Sequence, residues 1–382
     1  MFYKEEQVKR KLFRTALLML LVAVLTVIPV SVFADSAETP VFTSGAYTYI
    51  VSTRNEATIT AVSTAVGTTV TVPEKLGGYM VTAIGSGAFQ NLTGIQKLVL
   101  PDQLRSVGTS AFSGCTALRE VTMGDALQTI GDGAFYGCVA LKKMIVPDTV
   151  TIIGKSAFEN CKGLTQLTLG SRVSTIGSYA FKNCTSLTEV TLPDSLTELG
   201  AQSFRGCTGV TKVTIGVRLK NVSSDAFRGC KSLKTVRFGE GLTQIGSGAF
   251  GGCSALENLI WGIRLEIIGD NAFADCTSLQ TVSIPDSVIR IDESAFKGCT
   301  ALVSLRLGKG MTMISESSFA KCVSLKRVRI PEKVSVLVSN AFADCAQLET
   351  VMLPKSLTTV GYAAFRNCTA LVDVYYEGAA EE

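Results

Sequence analysis

Phe89, Phe112, Phe135, Phe158, Phe181, Phe204, Phe227, Phe250, Phe273, Phe296, Phe319, Phe342 and Phe365 follow one another at a stride of 23 residues, without insertion or deletion. A strict period of this length means one small unit copied along the chain. Each unit is too short to close a core alone and must bury its apolar face against its neighbours. Counting each Phe as position zero, position three is Leu92 and then a cysteine in every later unit, from Cys115 to Cys368, which uses all twelve cysteines of the protein. The residue before the Phe is Ala except at Ser203 and Ser318, and positions six, nine and eleven are apolar, as in Leu187, Val190 and Leu192.

Positions nine and eleven flank an outward position ten, the alternation of a half-buried strand, so a short strand is expected over positions eight to eleven. Gly or Pro at position twelve, as at Pro101, Gly124, Pro147 and Gly170, stops it and turns the chain. A second apolar pair follows at positions fifteen and eighteen. The "xxAFxx" segment is then the right length for one helical or 3₁₀ turn, closed by a left-handed residue at position two, where Asn, Gly or Asp stands in every unit except at Lys321. The expected fold is therefore α/β: a solenoid with a parallel, concave β-sheet on one side and short helical or 3₁₀ turns bearing a continuous Phe stack on the other.

These residues carry a family resemblance. "LTEVTLP" and "LQTVSIP" resemble the leucine-rich-repeat signature, and the pattern IGxxAFxxCxxLxxVxLPxxVxxIG resembles the BspA-like subclass of bacterial and some protozoan surfaces. The resemblance spans residues 84–376 as thirteen 23-residue units. Residues 35–83 resemble the hairpin-like opening segment of that family, with a turn at Arg54-Asn55, and would form an N-terminal β cap. Two departures stand out: the Asn or Cys ladder that commoner leucine-rich repeats carry after the strand is missing, and "VYYEGAAEE" ends the sequence without a capping segment or an LPxTG sorting motif. An exposed final strand or a truncated chain is expected there, followed by a tail at 377–382, since an unprotected sheet end invites pairing.

Residues 1–34 read differently: Lys4, Lys9, Arg10, Lys11 and Arg14 precede an uncharged apolar run from Thr15 to Phe33 and an A-x-A-like site ending at Ala34. This is the pattern of an export signal cleaved after Ala34, the alternative being an uncleaved anchor. Either reading places the rest of the chain outside the cytoplasm, secreted or on the cell surface. The absence of histidine removes the commonest general base and zinc ligand, so Ser-His, Cys-His and HExxH chemistries are unavailable. A net charge of +4, concentrated before residue 15, gives no footprint for nucleic acid.

No catalytic residue, cofactor or metal site is expected. The cysteines read as buried thiols in preference to disulfides, because repeats related by near-translation point their Cβ atoms the same way while a disulfide needs them facing. "GSGAFG", residues 246–251, matches a dinucleotide fingerprint formally, yet the repeat accounts for its glycines. Asp102, Asp125, Asp148, Asp194 and Asp286 read as solvated turn residues, and Trp261, at the inward position eleven, as core. The outward positions eight and ten remain. There the first half is rich in Thr and the second half basic, and a ligand site is placed at Arg237, Ile260, Arg306, Arg327, Arg329, Met352 and Tyr375, since Arg and aromatics carry most interface energy. The equally open alternative is a bland surface of good strand formers. The resemblance implies surface attachment and binding of extracellular or host proteins through the concave sheet, without catalysis. Two other classes are a structural envelope component that self-associates through its ends, and a carbohydrate binder, disfavoured by the burial expected for Trp261.

Overall fold

Every second residue of the strand at positions eight to ten points inward, and a shift of 23 residues reproduces that pattern with no slip, so consecutive units pair in register. The computed structural model describes residues 39–64 and 66–377, within which Val41 begins one continuous unit. The export segment at 1–34 and the tail beyond Glu377 lie outside the described residues. Strands such as Glu189–Thr191 and Lys212–Thr214 are parallel, with Glu189 opposite Lys212, Val190 opposite Val213 and Thr191 opposite Thr214. They cover positions eight to ten; position eleven is inward but outside the strand in most units, as at Leu192.

A second parallel ladder, which the apolar pattern alone does not predict, runs through positions seventeen and eighteen. Ile152–Ile153 pairs with Thr175–Ile176, which pairs with Glu198–Leu199. The ladder grows from the N-terminal segment: β1 (Val41–Ser44), β2 (Tyr47–Val51) and β3 (Glu56–Val62) are an antiparallel meander turning at Asn55, whose φ is 59°. β4 (Thr69–Thr71) starts the first ladder, while β5 (Lys75–Leu76) pairs with β6 (Tyr79–Ile84), which lies between β3 and Ser106–Val107.

The expected helical or 3₁₀ turns are a correction: among the described residues there is no helix, and the fold is a β-solenoid. The reason lies in the dihedrals on either side of each Phe. Position two is left-handed as anticipated, Lys321 included (φ 61°), but so is position minus two, where Ser156 (φ 53°), Tyr179 (φ 61°), Gln202 (φ 58°) and Ala363 (φ 56°) adopt it. Two left-handed residues four apart cannot belong to a right-handed helix. Instead the N–H groups alternate: those of Ser156, Phe158 and Asn160 donate to the next coil, at Ser178, Ala180 and Lys182, while those of Glu159 and Cys161 close local turns onto Ser156 and Phe158. Every coil is thus bonded to the next on this wall as well.

Inside, the rings from Phe89 to Phe342 are fully buried and stack face to face, with centroids 5.2 Å apart between Phe204 and Phe227 and 5.3 Å between Phe227 and Phe250. Burying one such side chain contributes about 2–3 kcal/mol. Their backbone carbonyls explain the cysteines. Cys230 donates its S–H to the Phe204 carbonyl at 3.4 Å and Cys253 to that of Phe227 at 3.3 Å, and the same bond recurs from Cys115 to Cys368. All twelve sulfurs are free thiols, Cys368 alone being partly exposed. Burial pushes the Cys161, Cys207, Cys253 and Cys322 thiols up to about 12. A thiolate there would be desolvated and unpaired, so these sulfurs are held in the unreactive form.

Candidate functional site

The seven candidate residues all lie on the outward strand face, but the ladder brings them together in two groups. Arg237 stands opposite Ile260, and, farther on, Ser283 opposite Arg306, with Arg329, Met352 and Tyr375 in one row. Arg327 sits beside them, at position eight, opposite Ser304 and Thr350. Met352 is half-buried between its neighbours and the other six are exposed.

The two groups are separated by an interruption: Asn258–Ile260 and Thr281–Ser283 do not pair. Aromatic residues at position eleven flank it. Phe238 and Trp261 stack on each other at 5.2 Å and set their edges against Phe250 and Phe273, where the other units up to Leu353 carry a non-aromatic apolar residue. Trp261 lines a cavity of about 400 Å³ there, between Asn258, Ile260, Thr281 and Ser283. Trp261 is packed against the core as expected, yet it is only partly buried and lines this opening.

A second opening has an electrostatic origin. Arg306 and Arg329 occupy position ten of consecutive coils, and like charges at adjacent positions weaken pairing. The strands Ser304–Arg306 and Arg327–Arg329 keep only the pair Ser304 to Arg327. The guanidinium groups turn away from each other. Arg306 donates to the Ile284 carbonyl at 3.1 Å and to the Asp286 carboxylate at 2.8 Å, one coil back. Arg329 reaches forward to Glu377, 2.8 Å away and two coils on, whose own N–H donates to the Leu353 carbonyl. Between them lies a cleft of about 350 Å³ with Leu305, Leu307 and Pro331 along its apolar walls and Lys309, Glu332 and Lys333 at its rim.

Asp286 belongs to a recurring feature in which the turn aspartates do more than face solvent. Asp148, Asp194 and Asp286 accept N–H bonds from the next coil, at Ser171 (2.6 Å), Val217 (3.1 Å) and Lys309 (3.2 Å). Those N–H groups hold the Asp148 and Asp286 carboxyls below the usual carboxylate range. "GSGAFG" forms one of the Phe-wall turns, with Ala249 and Phe250 buried and Gly248 at φ +65°. Among the described residues no three His, Cys, Asp or Glu side chains group in a way that could hold a metal ion, and no helix is long and apolar enough to cross a membrane.

Parallel ladders closed by a phenylalanine wall, with variable residues displayed on one strand face, define a leucine-rich-repeat solenoid. The BspA type leucine rich repeat region, in six copies, matches residues 82–211, 151–280 and 266–381, and the chain belongs to that family. It is similar to a leucine-rich repeat protein of Bacteroides ovatus, with 27% identity over 87% of this chain and 94% of that one and a TM-score of 0.68. It is also similar to a leucine rich cell surface protein of Faecalibacterium prausnitzii, with 29% identity over 90% of this chain and 97% of that one and a TM-score of 0.51. No curated protein matches.

Proposed function

We propose that this protein is a non-catalytic binding module, displayed at the cell surface or secreted, that attaches to extracellular or host proteins through its outward strand face. The observation that carries the reading is the basic cleft between Arg306 and Arg329. Along most of the strand face the outward residues are strand formers, whereas here two arginines, two rim lysines and apolar walls border an open volume large enough for a side chain or two. Similarity to a cell surface protein of Faecalibacterium prausnitzii supports surface display. The eleven buried thiols, which burial keeps protonated, supply no nucleophile.

The test is surface plasmon resonance of the full chain against a panel of purified extracellular-matrix and cell-surface proteins, alongside the double variant Arg306→Glu, Arg329→Glu. Binding that the double variant loses by more than about tenfold supports the reading. Binding that charge reversal leaves unchanged rejects this face as the site.

A second reading, self-association through the ends, is favoured by one observation: all four residues of the strand Asp373–Tyr376 are exposed, and its outer edge is unpaired among the described residues. Sedimentation velocity over a concentration series separates the two. A constant sedimentation coefficient excludes self-association.

A further inference from the structure

The two arginines on the cleft walls are each paired with a carboxylate of the chain's own, outside the cleft lining. Glu377 stands on Arg329 at 2.8 Å, and Asp286 on Arg306 at 2.8 Å, so each guanidinium of the cleft is engaged by an oxygen pair of the type it recognises best. The two pairs differ. Asp286 is fixed by a second bond, from the Lys309 N–H of the next coil. Glu377 is held to the coil by its backbone bond to Leu353 at the end of the last described strand, and among the described residues its carboxylate pairs with Arg329 alone. Both members of the Arg329 pair are open to solvent, with side-chain exposures of 60% and 36%, so water and a competing anion reach them.

We propose that the cleft is a receptor for acidic peptide segments, and that Glu377 is an internal partner which holds Arg329 outside the cleft until an incoming Glu or Asp side chain displaces it. This rests on the reading of the strand face as the binding surface and names the chemistry of its partner. Peptide is favoured over a densely charged polyanion for two reasons. The cleft is walled by Leu305, Leu307 and Pro331, which suit an apolar side chain beside the carboxylate. Its cations are interspersed with Asp286, Glu332 and Glu377, which oppose a continuous row of sulfates or phosphates. An alternating Glu-Leu peptide meets both requirements. Its carboxylate replaces that of Glu377 and its leucine covers the apolar wall.

The experiment is fluorescence polarisation of a labelled (Glu-Leu)₄ peptide with the full chain, unlabelled heparin and inorganic phosphate serving as competitors. Removing the internal partner of Arg329 by Glu377→Gln should tighten peptide binding about two- to fivefold, the worth of an exposed ion pair expressed as an affinity ratio. The double variant Arg306→Glu, Arg329→Glu should lose it, and raising the salt should weaken it. Unchanged or weaker binding by Glu377→Gln overturns the displacement idea while leaving the strand face intact as a binding surface. Peptide binding that survives the double charge reversal overturns both. Heparin displacing the peptide at sub-stoichiometric amounts, or binding where the peptide does not, assigns the cleft to sulfated polysaccharide and overturns the peptide proposal. Thermal unfolding followed by circular dichroism accompanies each variant. Should the double variant unfold, Lys333→Glu at the rim takes its place, with weakened binding expected and unchanged binding counting against the proposal.

Discussion

Replacing Phe227 by alanine removes a ring that is fully buried and stacked on both faces, at 5.2 Å on Phe204 and 5.3 Å on Phe250. The surrounding backbone cannot collapse into the space. The Phe227 N–H is bonded to the Ala249 carbonyl, and its own carbonyl accepts from the Cys230 N–H and from the Cys253 thiol. A buried Phe→Ala change costs about 3–5 kcal/mol, and a site that cannot relax belongs at the upper end. Two lost stacking contacts, about 0.5–1.5 kcal/mol each, point the same way. Phe365 is the control: it is half-buried and has one stacking partner, Phe342, at 5.7 Å, so its truncation should cost about 1–2 kcal/mol. Guanidinium unfolding of both variants, followed by far-ultraviolet circular dichroism, reads the difference. Phe227→Ala should lower the midpoint at least twice as far as Phe365→Ala. Equal shifts would refute the continuous stack as the element that ties the coils together.

Three further outcomes are expected. Stability should fall in alkali, because burial raises the folded thiols above their ordinary value of 9.0, to about 12 at Cys161, Cys207, Cys253 and Cys322. Their contribution is complete below pH 9 and declines as pH rises from there toward 12, by about 1.4 kcal/mol per pH unit for each thiol, so circular dichroism should show unfolding by roughly pH 11. Ser203→Ala should stabilise the chain by about 1 kcal/mol in the same guanidinium assay, since the Ser203 hydroxyl is buried without a partner at a position where nearly every other unit carries Ala. Trp261→Leu should let Asn258–Ile260 and Thr281–Ser283 close on each other, seen as slower hydrogen exchange at the Thr281 amide; unchanged exchange would mean that the ring is not what holds the strands apart.

The register, the inward positions and the Phe stack were legible because period and alternation are direct consequences of burial, as Val190 and Val213 illustrate. The second ladder was not, since a two-residue strand such as Ile152–Ile153 is too short to show alternation. The helical turn is expected because position minus two carries Gly or Asn in only five of the thirteen units and Ser, Tyr, Gln, Asp or Ala in the rest, types that do not announce a left-handed backbone; stacking of the coils imposes it on Tyr179 and Ala363. For the candidate site, the sequence supplied the cations and the face. It could not supply the partners, because Glu377 meets Arg329 across two coils and is 48 residues away in the chain, counting 377 minus 329. The cleft itself follows from repulsion between Arg306 and Arg329. That was implicit in their 23-residue spacing, but it emerges only once the lost pairing is seen.

The sulfur ladder is the feature on which the rest depends, since it places eleven of the twelve thiols in the buried interior. Thiol titration with an aromatic disulfide, without reductant, addresses it directly. In the native protein Cys368, the partly exposed one, should react and the eleven buried thiols should not, whereas all twelve should react after denaturation. Several fast-reacting native thiols, or a denatured count well short of twelve, would contradict the account.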